Sequence, residues 1–197
     1  MTINARFSKL LPILSFIFWF FCLLYCEGFL RSCAVLLSVA LHECGHLFAF
    51  LILGQNLPRL HFRTLGITLK PIRMLSYRNE AIIAFFGPLF NLLTAFLAAA
   101  ARPTSAFADT LASVSFLLAG VHLLPMIPLD GGRISFALFH SCFGEKGARF
   151  AAALSFVTLC ISLFFFLYFL LYYGTGLTPL FSVLLLFREQ EKSRFDL

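Results

Sequence analysis

One apolar stretch of the sequence reads Leu41-His42-Glu43-Cys44-Gly45-His46-Leu47. On a helix, His42 and His46 stand one turn apart and project from the same face, so both imidazoles can reach one metal ion. Glu43 sits beside that face, where it can take a proton from water polarised by the metal without being a ligand itself. Cys44 faces away from the ligand side and is assigned no chemistry. A chance H-E-x-x-H match is expected only about four times per thousand chains of this composition. A charged residue near the centre of a bilayer costs about 2.5–3.5 kcal/mol. Three ionisable side chains between His42 and His46 therefore need a compensating partner. The plainer alternative is a polar cluster that packs membrane spans together.

Two histidines leave a catalytic zinc site one ligand short, because such sites take three protein ligands and one water. Asp130 is the best third. It lies in His122-Leu123-Leu124-Pro125-Met126-Ile127-Pro128-Leu129-Asp130-Gly131-Gly132-Arg133, where two prolines break the helix and two glycines follow the aspartate. Irregular backbone at membrane depth survives only where it is buried in protein or lines a wet cavity. A helix-terminating turn with Asp130 solvated at the interface is the other reading. Binding Zn²⁺ would offset much of the cost of burying this carboxylate. His122 stays open between an alternative metal ligand, a donor to the tetrahedral intermediate and an ordinary hydrogen-bonded histidine. Asn91 either hydrogen-bonds a substrate backbone or pairs with a neighbouring span. His61 and His140 fall in interfacial segments and are assigned no role.

The elements that must hold these groups belong to a membrane. Of 197 residues, 60% are hydrophobic and 12% charged, with 27 phenylalanines. So few charges cannot cover a soluble domain, which makes the bilayer the expected solvent. No stretch is polar enough for a separate soluble module, so residues 1–197 are expected to form a single domain. Apolar runs lie at Leu10–Cys26, Cys33–Leu53, Ala81–Ala101, Thr110–Pro128, Ala148–Tyr173 and Leu177–Phe187. The last is shorter than the roughly 20 residues of a perpendicular span. Between the second and third runs, Leu60, Phe62, Leu65, Ile67 and Leu69 alternate at period two, with Gly66 near a change of phase. That pattern fits a short bulged hairpin at the membrane surface or a basic, half-exposed loop. The expected fold class is an all-α polytopic membrane protein of about six transmembrane helices, with this short β-hairpin between spans two and three.

The net charge of +6 invites a nucleic-acid reading. The basic residues, however, sit in short segments between apolar runs with no aromatic-basic platform, so no nucleic-acid partner is expected. Of the fifteen lysines and arginines, only Arg31 and Arg102 fall in outside segments when the N-terminus is placed inside. Both termini are accordingly expected in the cytoplasm. The second and fourth runs then travel in the same direction and bring His42–His46 and Asp130 to similar depth. The six cysteines form no C-x-x-C pair, and small buried hydrophobes are the expected reading.

The H-E-x-G-H of one span and the L-L-P-x-x-P-L-D-G-G of a later one resemble the site-2 protease family of intramembrane zinc metalloproteases. Gly87-Pro88-Leu89-Phe90-Asn91 is similar to that family's G-P-x-x-N element. The short chain most resembles the bacterial sporulation branch, which processes a membrane-associated sigma-factor precursor. The family usually has asparagine where this chain has His122. The resemblance implies a multi-pass bacterial membrane enzyme with zinc as cofactor. Glu43 would be its catalytic base, and His42, His46 and Asp130 its metal ligands. Its partners would be a membrane protein or membrane-associated precursor as substrate, the lipid bilayer and regulatory membrane proteins. Two other classes compete. Two histidines and a carboxylate also describe an iron facial triad, although membrane desaturases need several histidine boxes and this chain has five histidines. A catalytically inactive metal-binding protein that captures transmembrane helices would share the same residues.

Overall fold

The computed structural model describes residues 3–56, 58–63, 66–70, 75–101 and 105–173. The first helix, α1 (Ile3–Ile52), runs through both the first and second apolar stretches. Gly28 breaks it into two helical segments, with non-helical φ 78° and ψ 170°, a conformation open to glycine because it has no Cβ. The Ser32 hydroxyl donates to the Gly28 carbonyl at 2.7 Å and ties the resumed helix to the kink. Beyond the kink, Ala34, Ser38, His42, His46, Ala49 and Phe50 are buried. Spacings of three and four residues put them on one face. Leu37, Phe48, Leu51 and Ile52 point outward.

Two strands follow, β1 (Arg59–Arg63) and β2 (Gly66–Lys70), paired antiparallel from Arg59 with Lys70 to Arg63 with Gly66. Helix α2 (Tyr77–Ala100) contains Pro88 and buries Ile83, Ala84, Asn91, Ala95 and Ala98. Helix α3 (Ala106–His122) buries Ala112, Ser115 and Ala119. Helix α4 (Asp130–Tyr173) is broken at Gly144, which has φ 57° and ψ −138°. Cys44, Cys142 and Cys160 are exposed rather than buried, and with half-buried Cys33 all are free thiols.

The chain divides into two compact units. The first comprises Met1–Leu75 and Leu89–Ala119. Within it α1, α2 and α3 are joined by polar contacts in an apolar setting. Ser115 Oγ donates to Ser38 Oγ at 3.0 Å, and Asn91 meets His42. The Phe48 and Phe90 rings lie 5.5 Å apart. The second unit comprises Ser76–Pro88 and Gly120–Leu197. Its core joins Met126, Leu129 and Leu159, with Leu124 against them. The Ile127 N–H donates to Ser155 Oγ at 2.8 Å, which pins the connection before α4 to the body of that helix.

The expected bundle of about six spans is corrected, while the short hairpin expected between the second and third apolar runs is present as a two-stranded ribbon. Among the described residues there are four helices and one two-stranded ribbon. Among the described residues, three helical segments are long and apolar enough to cross a membrane: Gly28–Ile52, Tyr77–Ala100 and Asp130–Phe165. Counting apolar runs fails for a physical reason. The run Thr110–Pro128 includes backbone that proline forbids to helix, which leaves α3 with 17 residues, short of the roughly 20 a perpendicular span needs. The run Leu177–Phe187 lies outside the described residues. Three such helices in so apolar a chain make this a membrane protein.

Candidate metal centre

The buried face of α1 carries both histidines inward. His42 is 2% and His46 5% exposed, and Glu43 beside them is half-buried. Their Nε2 atoms stand 3.2 Å apart, with the rings edge to face at 86°. One helical turn sets this convergence. The other ring nitrogen of His42, Nδ1, lies 3.0 Å from Asn91 Nδ2 on α2. Asn91 is fully buried, and its Oδ1 meets no hydrogen-bond partner among the described residues.

In the second unit, Asp130 opens the first turn of α4. Unpaired backbone N–H groups and the helix dipole favour a carboxylate there. The glycines after it are steric necessities. A Cβ on Gly131 would run into the Leu123 carbonyl, and one on Gly132 would lie 2.5 Å from the Ile127 nitrogen. Asp130 is 6% exposed and is held from both sides. His122 Nδ1 donates to Oδ2 at 3.0 Å. The Arg133 guanidinium lies 3.7 Å from Oδ1 and also 3.7 Å from Glu80 Oε1. Sequence reasoning assigned nothing to Arg133 or Glu80. The i, i+3 spacing from Asp130 could have flagged Arg133, whereas nothing local points to Glu80.

The donor set fits a metal ion. His42, His46 and Asp130 are all buried, and each offers one atom of a type that can ligate a metal. Two imidazoles and a carboxylate are the nitrogen and oxygen ligands that zinc accepts. His61 lies on β1. His140 stacks on Tyr77 with ring centroids 4.3 Å apart and is not among these ligands.

Residues 98–166 match the peptidase family M50. The fold matches that of the site-2 protease from Methanocaldococcus jannaschii, with a TM-score of 0.67 and 20% identity over 93% of this chain and 87% of that one. About a third of the chain thus resembles that peptidase family, and the fold is similar to that of a site-2 protease. The matched M50 stretch contains the Asp130 element and begins after the His42–His46 pair. No curated relative matches the chain.

Proposed function

We propose that this protein is an intramembrane zinc metalloendopeptidase that hydrolyses a peptide bond within or near a membrane-associated segment of its substrate. The carrying observation is the pair of buried imidazoles, whose Nε2 atoms lie 3.2 Å apart on a helix apolar enough to span a membrane. The M50 match and the site-2 protease fold support the same reading. His42, His46 and Asp130 are the proposed ligands and Glu43 the proposed base. Zinc, when bound, supplies Lewis acidity and lowers the pKa of water toward about 7. Glu43 receives the proton from the attacking water and returns it to the leaving amine. His122 and Arg133 hold the Asp130 carboxylate, and Asn91 braces His42.

A helical substrate hides its carbonyls in internal hydrogen bonds, so it must unwind before attack. The β1–β2 ribbon offers a strand edge on which an extended segment can be held. If an Ile67→Pro substitution left cleavage unchanged, that role would be lost. The substrate class is a membrane protein or a membrane-associated precursor, with a regulatory or sigma-factor precursor as its narrowest form. The excess of basic residues in the expected inner segments supports cytoplasmic termini in a bacterial cell membrane.

The deciding experiment incubates purified protein in lipid with a panel of single-span substrates and compares wild type with Glu43→Gln, with zinc content measured in both. Cleavage by wild type alone, with zinc retained in both, is the expected result. Absence of zinc from wild type would overturn the assignment.

A further inference from the structure

The contact between Asn91 and His42 bears directly on whether the two histidines can take a metal at all. Neutral imidazole carries one proton, on one of its two nitrogens. When Asn91 presents Nδ2 to His42 Nδ1 across 3.0 Å, Nδ1 accepts and the His42 proton must sit on Nε2. That proton then points at His46 Nε2, 3.2 Å away. The space between the two nitrogens is filled by a hydrogen bond, and His42 has no lone pair left for a metal. A half-turn of the Asn91 amide reverses every step. Oδ1 then accepts from His42 Nδ1–H, His42 Nε2 is bare, and both Nε2 lone pairs can face one cation.

The two arrangements exclude each other, and burial makes the choice consequential. Asn91 is 0% exposed and its Oδ1 is without a partner among the described residues. Water therefore does not level the difference. The half-turn moves the unmet hydrogen-bonding capacity from the oxygen to the amide N–H. Without metal the hydrogen bond between the two Nε2 atoms favours the first orientation, and a cation held by both Nε2 lone pairs favours the second.

We propose that Asn91 is a positioning residue that selects between a proton and a metal ion in the His42–His46 pair, with its Oδ1 fixing the His42 tautomer that ligates. The inference rests on the metal reading of these histidines. It assigns Asn91 to the ring rather than to a substrate backbone. A hydrogen-bond acceptor behind a ligating histidine sets its tautomer and raises its basicity, and losing such a partner commonly costs about 10–100-fold in metal affinity.

The test uses the full chain in lipid nanodiscs, with Zn²⁺ affinity measured by chelator competition and the His42 tautomer read from ¹⁵N-histidine spectra. In wild type, His42 is expected as the Nε2–H tautomer without metal and the Nδ1–H tautomer with zinc. Asn91→Leu should weaken zinc binding about 10–100-fold. Asn91→Asp, which can only accept from Nδ1, should keep or tighten it and should show the Nδ1–H tautomer even without metal. Equal zinc affinity in wild type and Asn91→Leu would overturn the proposal, and so would one unchanged metal-free tautomer in wild type and Asn91→Asp. If wild type binds no zinc, the metalloprotease reading fails on that result alone. The metal-free spectra of wild type and Asn91→Asp then still decide whether the amide governs the ring.

Discussion

The histidine pair and the segment around Asp130 solve the problem of burying polar groups in opposite ways. His42 and His46 ride a regular helix, and their convergence follows from its pitch. The backbone there satisfies itself, and only the side chains need partners. The segment from Leu123 to Gly132 has no such regularity. Its N–H and C=O groups are met one by one: Ile127 by the Ser155 hydroxyl, and Gly132 and Arg133 by the Leu129 carbonyl. Glycine is required where its own backbone folds back on itself. The regular region is constrained at its buried side chains, whereas the irregular region is constrained at its backbone as well.

The largest expected effect breaks the first region chemically while sparing its structure. Glu43→Gln should lower cleavage by about 10²–10⁴-fold, the range for removing a general acid–base group, with zinc content unchanged by metal analysis. In the second region the equivalent lesion is indirect. His122→Leu removes the donor to Asp130 Oδ2 and should weaken zinc binding by about 10–100-fold in chelator competition. His122→Asn restores a donor and should recover most of that loss.

Backbone sensitivity is the next contrast. Gly131→Ala drives a methyl into the Leu123 carbonyl and should cost about 1–3 kcal/mol, as overpacking does. Gly120→Ala meets nothing within 4 Å and should stabilise α3 by up to about 1 kcal/mol through helix propensity. Thermal unfolding in one detergent compares the two. Equal shifts would erase the distinction drawn between regular and irregular backbone. The smallest effect belongs to Ser115→Ala, which deletes the hydroxyl pair with Ser38. Buried polar contacts between membrane helices average about 0.6 kcal/mol, so a change several times larger would mean that this contact holds the first unit together.

Much of this was legible in advance because it rests on local rules. Composition announces a membrane protein, since 12% charged residues cannot solvate a soluble surface. The spacing of His42 and His46 places them on one face whatever surrounds the helix, and the prolines and glycines around Asp130 mark irregular backbone. Span count was read less well. A helix end at His122 is not visible in a hydropathy pattern, because hydropathy registers polarity and not backbone continuity.

The sequence by itself determined which groups are available: two imidazoles and two carboxylates, in a chain that must live in lipid. Helical pitch and the solvation cost of charge act within a few residues, so no tertiary information is needed to apply them. Only the tertiary structure decided what stands behind each of those groups. His42 comes to face a buried amide 49 residues away, and Asp130 comes to lie between His122 and an arginine that also reaches Glu80. Hydrogen bonds of this kind depend on which helix faces meet and at what register, and packing over the whole chain sets that.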